Sequence, residues 1–291
     1  MNGFLVIDKP SGMTSHDVVY KVRKRLGTKR VGHAGTLDPM ATGVLVVGVG
    51  NATKLMQYIV DGNKSYDATI ALGAATHTDD KEGEVIFTAE PHLVSAITED
   101  RIRTELSKFV GTIMQKPSSV SAIKIDGKAA HQRVREGEVV DIPAREVTIS
   151  NISVHTVEHT ESAVLVRISV NCSAGTYIRS IARDLGEVLK VGGHLTALRR
   201  TLVSPFALDE AGSIEESDLI DTAQGISRVL PTRTLFFEEM NEISFGRSIE
   251  ANDTDQIHAA ISPTGEFAAL LINKVQGRKV MAAPTLVAVQ E

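Results

Sequence analysis

The sequence feature that most constrains the fold is the segment VGHAGTLDPMATGVLVVGVG at residues 31–50. Its second half, GVLVVGV (43–49), is a continuous apolar run between turn residues, which predicts a strand buried in the interior of a sheet. Its first half is rich in glycine and carries one charged side chain, Asp38, directly before a proline. Because Gly, Asp and Pro also form ordinary tight turns, two interpretations stay open here: Asp38 shapes the chain, or it reacts with a substrate.

Apolar periodicity predicts the other main elements. Strands are predicted at 4–9, 65–73 and 163–172, and helices at 14–27, 98–111 and 176–189. In the last of these helices Arg179 and Arg183 lie opposite the apolar face, and the Ser-x-x-Glu pattern at 213–216 predicts the start of a further helix. Strands and helices do not alternate regularly, so we predict an α+β fold with a mixed, largely antiparallel sheet flanked by helices.

The composition changes near residue 229. Residues 201–291 contain 6 Lys and Arg against 14 Asp and Glu, a net charge of −8, and short β-rich pieces such as FAALLIN (267–273) appear. We therefore expect a catalytic domain over 1–228 and a small C-terminal β-rich domain over 229–291.

Positive charge is concentrated near the N-terminus, although the whole chain has a net charge of −5. Residues 1–60 carry 8 Lys and Arg against 3 Asp and Glu, a net charge of +5, and the run KVRKRLGTKR (21–30) holds six of those basic residues. Such a run is usually a solvated helix face, but beside an active site it can also attract a phosphate backbone.

The sequence favours a cytoplasmic protein. The single cysteine, Cys172, cannot form an internal disulfide, and no Cys and His cluster has the spacing of a zinc site. We also predict no export signal and no membrane span, since no apolar run approaches the roughly 18 residues that a membrane helix requires.

Several motifs together identify a family resemblance. They are DKPSGMTSHDVV at 8–19, GHAGTLDPMATGVLVVGVGNATK at 32–54, KSYDATIALGAATHTDD at 64–80, SAIKIDGK at 121–128, CSAGTYIRSIARDLG at 172–186 and HLTALRRT at 194–201. In sequence and spacing this set, which covers about residues 2–206, resembles the bacterial tRNA pseudouridine-55 synthases of the TruB family. The resemblance implies the pseudouridine synthase fold and the conversion of uridine 55 in the T arm of tRNA to pseudouridine.

The resemblance assigns the catalytic roles to three residues. Asp38 matches the family's nucleophile, and Tyr66 matches the aromatic residue that stacks on a flipped-out uracil and assists proton transfer at C5. Arg179 matches the arginine that pairs with the catalytic aspartate. A carboxylate suits this reaction because it is ionised at pH 7 and can add covalently without a metal or cofactor, so we expect neither.

Four further positions match pocket residues of the family. Leu198 matches an apolar wall of the uracil pocket, and His33 matches a histidine that shapes the space left by flipped nucleotides. Lys9 is expected to support the pocket floor or contact phosphate, and Tyr177 to pack beside Arg179. Without the resemblance, Leu198 could equally be a core leucine and His33 a hydrogen-bonded structural histidine.

The segment 115–145 resembles the family's RNA-gripping insertion, with two departures. Ser118 stands where the pattern usually has proline, and His131 where it usually has tyrosine. The C-terminal domain resembles at most a reduced PUA domain, the RNA-binding β barrel with which many family members end. The expected partner is the T stem-loop of tRNA, bound by a monomer, with no obligate protein partner.

Two rival functions remain at this stage. The first is a non-catalytic tRNA-folding or RNA-binding protein that keeps the same fold. The second is a hydrolase that uses Asp38 with His33, although no GxSxG-like turn or metal set supports it.

Overall fold

The structure is a computed structural model that describes residues 1–121, 124–125, 128–129, 133, 136 and 142–288. The strands are β1 Gly3–Lys9, β2 Val31–His33, β3 Thr42–Val49, β4 Lys64–Leu72, β5 Ala74–Thr76, β6 Val85–Thr88, β7 Gly111–Gln115, β8 Lys124–Ile125, β9 Lys128–Ala129, β10 Arg145–His159, β11 Val164–Cys172, β12 Gly193–Val203, β13 Phe206–Ala207, β14 Ile220–Asp221, β15 Thr232–Thr234, β16 Ile249–Glu250, β17 His258–Ile261, β18 Phe267–Gln276 and β19 Lys279–Val287. The α-helices are α1 Ser15–Leu26, α2 Met56–Val60, α3 Pro91–Ser95, α4 Glu99–Ser107, α5 Ile178–Leu189, α6 Thr222–Ser227 and α7 Phe237–Ser244, and two short 3₁₀ helices span Gly50–Leu55 and Leu208–Glu210.

One large mixed sheet forms the body of the molecule. Its strands follow the order β14-β1-β3-β12-β4-β11-β10-β7, with β2 beside β3 and β13 beside β12. Among these strand pairs, β12 and β3 run parallel and the others antiparallel. The predicted apolar strand is β3, which lies between β1 and β12 and is buried from Gly43 onward. The predicted fold class is thereby confirmed.

Helix α1 follows the sequence signals closely. The Thr14 hydroxyl caps its first turn by accepting from the amide of Asp17, and the Asp17 carboxylate accepts from the amide of Thr14. Gly27, in the left-handed conformation, ends the helix. By contrast, Ser213 and Glu216 form the predicted capping contacts, but the chain makes only a turn there, so the predicted helix is wrong.

Helix α5 packs its apolar face on the sheet near the site. Ile181 and Leu185 of α5 are fully buried. They share an apolar cluster with Ile70 of β4 and Ile168 of β11. Burial of each such side chain stabilises the fold by about 1.5–3 kcal/mol. The same packing fixes the N-terminal end of α5, where Arg179 lies.

A second sheet contains the C-terminal strands in the order β15-β17-β18-β19-β16. Ala259 and Leu270 from this sheet share an apolar cluster with Phe4 and Val6 of the large sheet. The C-terminal sheet therefore packs on the body formed by the large sheet through a continuous core. Within the described ranges, every helix is too short or too polar to cross a membrane.

Candidate active site

The loop that carries Asp38 is held from both sides. The Ser15 hydroxyl, at the start of α1, accepts from the amide of Leu37 at 2.9 Å and donates to its carbonyl at 3.2 Å. Behind the loop, the Lys9 ammonium donates to the carbonyl of Pro39 at 3.2 Å. Gly35 has φ +83°, a conformation that glycine adopts without steric cost, and it lets the chain turn toward Asp38.

Arg179 grips the Asp38 carboxylate. Its Nη2 donates to Oδ1 of Asp38 at 3.1 Å, and its Nε lies 3.0 Å from Oδ2 without good hydrogen-bond angles. The Arg179 side chain is 5% exposed and that of Asp38 is 32% exposed, so the carboxylate still reaches the pocket. Burial raises the pKa of Asp38 above its ordinary value, while the Arg179 charge lowers it.

Arg179 is a buried residue and not a surface one. The sequence analysis placed Arg179 and Arg183 together on the polar face of the helix, but Arg179 is 4% exposed. Arg183, one turn further on, pairs with Asp184 at 2.7 Å and lies 3.4 Å from Asp79. The charged side chain of Arg179 can therefore be buried, because carboxylates from other parts of the chain pair with it.

Asp80 supplies that counter-charge, and sequence reasoning missed it. Its Oδ2 lies 3.3 Å from Nη1 of Arg179, and it is 3% exposed. The Thr78 hydroxyl donates to the other Asp80 oxygen at 2.6 Å, which fixes the carboxylate. Arg179 thus bridges Asp38 and Asp80, and the Asp80 charge raises the pKa of Asp38. Asp80 ends the motif KSYDATIALGAATHTDD, to which the sequence analysis assigned only Tyr66, although the two adjacent aspartates were a signal.

Tyr66 and Leu198 line the pocket beside Asp38. Tyr66 on β4 is 8% exposed and Leu198 on β12 is 8% exposed, and both border the same cavity of about 240 Å³ as Asp38 and Arg179. The cavity therefore has a volume large enough to admit a small planar ring beside the tyrosine, the leucine and the carboxylate.

Tyr177 also lines the cavity, and its backbone is clamped. The side chain of Gln115 accepts from the Tyr177 amide at 2.8 Å and donates to its carbonyl at 3.0 Å. The guanidinium of Arg145 lies 5.1 Å from the centre of the Tyr177 ring. Because Tyr177 directly precedes α5, these two hydrogen bonds to Gln115 also fix the start of the helix, where Arg179 lies.

Two predicted pocket residues lie outside the cavity lining. Lys9 is fully buried behind the loop, where its ammonium donates to the carbonyls of Pro10, Met13 and Pro39, so it supports the loop and does not reach a phosphate. Burial lowers the pKa of Lys9 to about 8. The His33 ring packs edge-on against His16 at 5.5 Å, and burial lowers its pKa.

Two cations at the back of the cavity were not foreseen. Lys64 and Arg200 both line it, and both are buried. The Lys64 ammonium donates to the carbonyls of Val60 and Gly62, and burial lowers its pKa to about 8.

Within the part of the chain that the structure describes, no group of three His, Cys, Asp or Glu side chains has a metal-binding arrangement.

The predicted RNA-gripping insertion is described only in part. Gln115 and Ser118 are buried at its base, whereas His131 and most of 122–141 lie outside the described residues. The basic run at 21–30 covers the end of α1 and the turn that follows, with Lys21, Lys24 and Lys29 exposed.

Comparison with protein families shows the family of this chain. Residues 23–178 match the family described as TruB family pseudouridylate synthase, N terminal domain, and residues 179–230 match the tRNA pseudouridylate synthase B C-terminal domain. The chain belongs to the TruB family. It is therefore a pseudouridine synthase, and the resemblance drawn from the motifs is confirmed.

Similar TruB proteins match along most of their length. The chain is 50% identical over 284 residues to tRNA pseudouridine synthase B of Corynebacterium diphtheriae, covering 96% of this chain and 94% of that protein. It is 49% identical over 286 residues to the protein of the same name from an Arthrobacter species, covering 93% and 92%.

Solved structures of the same fold are more distant in sequence. A chain from "Structure of H/ACA RNP bound to a substrate RNA containing 2'-deoxyuridine" has a TM-score of 0.71 at 21% identity, covering 99% of this chain and 85% of that one. A chain from "Crystal Structure of a Cbf5-Nop10-Gar1 Complex" has a TM-score of 0.66 at 24% identity, covering 99% and 84%. At these identities the match establishes the fold alone.

Proposed function

We propose that this TruB protein converts uridine 55 in the T arm of tRNA to pseudouridine, with Asp38 as the nucleophile. The relatives with about 50% identity are named tRNA pseudouridine synthase B, which supports tRNA as the substrate class. The observation that carries the proposal is the Asp38 carboxylate, paired with Arg179 and partly exposed at a cavity of nucleobase size.

The reaction breaks the bond from N1 of uracil to C1′ of ribose, turns the base in place and rejoins it through C5. A carboxylate assists by adding to C6 of the base or to C1′ of the sugar, and either route requires an ionised oxygen facing the base. Arg179 favours that ionised form, because a cation 3.0 Å away opposes the effect of burial on the pKa of Asp38.

The pocket suits a base that has left its helical stack. A flipped base loses its stacking neighbours, and contact with an aromatic face returns about 1–3 kcal/mol. In our proposal Tyr66 provides that face, Leu198 closes the opposite side, and the Tyr66 hydroxyl assists proton transfer at C5. His33 and Tyr177 shape the neighbouring space.

The remaining contacts follow from RNA chemistry. Folded RNA is recognised through the shape of its stem-loop and through its phosphates, which suits the exposed basic run at 21–30 and the insertion at 115–145. We assign catalysis to residues 1–228 and propose that 229–291 is a reduced PUA-like domain. The protein is proposed to act in the cytoplasm as a monomer, since residues of one chain complete the pocket.

The test is incubation with an unmodified tRNA transcript, followed by site-resolved mapping of pseudouridine. The proposal predicts stoichiometric modification at position 55 and none at other uridines. Binding of the transcript without any modification would identify a non-catalytic RNA-binding protein instead, and release of free uracil would identify a hydrolase.

A further inference from the structure

Arg200 is a buried cation in the pocket that the proposed chemistry leaves without a role. It is 1% exposed and is among the largest fully buried side chains among the described residues. Its Nε donates to the carbonyl of Val44 at 2.8 Å, and its Nη2 donates to the carbonyl of Gly35 at 3.2 Å. One guanidinium therefore ties β12 to β3 and to the loop that carries Asp38.

Arg200 also faces Tyr66 across the sheet. The two residues are direct partners in the antiparallel register of β12 and β4, and both side chains line the cavity. The positive charge of the guanidinium opposes the rise that burial imposes on the pKa of the Tyr66 phenol.

The backbone of Arg200 is held as firmly as its side chain. A Cβ at Gly43, the neighbour on β3, would lie 2.1 Å from the Arg200 carbonyl oxygen, so β3 and β12 approach each other closely here. Gly43 has φ +98°, which other residues adopt only with strain. The guanidinium is therefore fixed relative to both the loop and the tyrosine.

Arg200 has no described carboxylate in direct contact. Arg179 pairs with Asp38 and Asp80, whereas the Asp38 charge acts on Arg200 only from beyond ion-pair distance. The hydrogen bonds of Arg200 go to neutral carbonyls, and the nearby Lys64 adds a second cation. A buried cation without a directly contacting carboxylate favours negative charge on a neighbouring oxygen, and Tyr66 lines the same cavity.

We propose that Arg200 is a positioning residue that sets the distance between the Asp38 loop and Tyr66 and orients the Tyr66 oxygen to accept the C5 proton. This inference rests on the proposed function. Once C5 has bonded to C1′, the C5–H bond breaks and its proton passes to the Tyr66 oxygen, while the hydroxyl proton of Tyr66 passes to a water molecule. The C5–H electron pair forms the C5=C6 double bond, the C6=N1 pair moves to N1, and N1 takes up a proton from that water. The tyrosine is left as the neutral phenol, so the isomerisation is balanced.

The test compares Arg200→Met and Arg200→Lys with Arg199→Met as the matched control. Arg199 is the next residue on the strand, but it points to the other face of the sheet, where it pairs with Asp8 at 2.7 Å. Single-turnover rates are measured on tRNA carrying uridine or C5-deuterated uridine, together with tRNA affinity and thermal melting of each variant.

The expected result is specific to proton transfer. Arg200→Met slows turnover by at least about tenfold, the rate equivalent of one pKa unit, and increases the C5 deuterium isotope effect. Arg200→Lys recovers part of the rate, tRNA affinity changes little, and Arg199→Met resembles the wild type. In a Tyr66→Phe background, Arg200→Met adds less than about twofold, because the oxygen that it positions is gone.

Three outcomes would overturn the inference. They are equal rates for Arg200→Met and Arg199→Met, an unchanged isotope effect, or the same slowing with and without the Tyr66 hydroxyl. If Arg200→Met does not fold, the same comparisons are made with Arg200→Lys, which keeps the charge. A wild-type protein that forms no pseudouridine would overturn the proposed function as well, which distinguishes the two failures.

Discussion

Replacing Arg179 by methionine removes the cation that holds the active site together. In the wild type its 5% exposed side chain meets two carboxylates, Asp38 and Asp80, and donates to the carbonyls of Thr78 and Val120. Methionine fills similar space but leaves both acids uncompensated. Removing one partner of a buried ion pair costs about 3–5 kcal/mol, against a total stability of about 5–15 kcal/mol for a typical domain.

The variant should also change its response to pH. Arg179 is the main influence that lowers the pKa of Asp38, so its removal raises that pKa further. A carboxyl with a raised pKa binds its proton more tightly in the folded state, so folded stability falls as pH rises from the ordinary value near 3.8 through the raised pKa. The acidic limb of the turnover profile should likewise move to higher pH, because Asp38, the proposed nucleophile, must be ionised.

Urea denaturation and single-turnover rates across pH measure both effects. Adding Asp80→Asn to Arg179→Met should recover part of the lost stability, since one uncompensated acid is gone, while turnover stays lost. Arg183→Met is the control, because Arg183 lies one turn further along the same helix and pairs with Asp79 and Asp184 and not with Asp38 or Asp80. A loss below about 1 kcal/mol in Arg179→Met with an unchanged pH profile would refute the reasoning.

Three further predictions concern RNA binding by the basic run, the contact of Gln115 with Tyr177, and the effect of Asp80 on Asp38. Lys21→Glu with Lys24→Glu should weaken tRNA binding and flatten the dependence of log affinity on log salt by about 0.7–0.9 per lost phosphate contact, measured by filter binding at several salt concentrations. Gln115→Ala removes the side chain that accepts from the Tyr177 amide, so the free energy of unfolding should fall by about 1–3 kcal/mol and turnover should fall with it; unchanged melting would contradict this. Asp80→Asn removes a charge that raises the pKa of the catalytic carboxyl, so the acidic limb of its pH–rate profile should move to lower pH, and a shift the other way would refute the assignment.

Local patterns predicted the framework of the fold. The apolar run 43–49 became the strand β3, which is buried on both faces as a continuous apolar run predicts. The residues at 163–172 became β11, whose alternate side chains are buried, as a side-chain period of two predicts. The capping pattern at Thr14 also started a helix, while the similar pattern at Ser213 made only a turn. A capping pair stabilises the start of a helix by about 1 kcal/mol. The helix extends further only where its apolar face packs against the rest of the protein.

The electrostatics of the site depended on contacts that local sequence does not reveal. Arg179 looked like a surface residue because its counter-ions come from residue 38 and residue 80, 141 and 99 positions away. Arg200 looked like one of two adjacent arginines, yet only it points into the cavity while Arg199 points to the other face. Asp38, Tyr66 and Leu198 were found through the family motifs, since periodicity alone describes a turn acid, a strand tyrosine and a core leucine.

The most direct test of the account is a single-turnover comparison of wild-type protein with Asp38→Asn on unmodified tRNA at saturating protein. Asparagine keeps the size of the side chain but cannot add as a carboxylate, so the account predicts tRNA affinity close to that of the wild type and no pseudouridine at position 55. Formation of pseudouridine by Asp38→Asn at a rate near that of the wild type would contradict it.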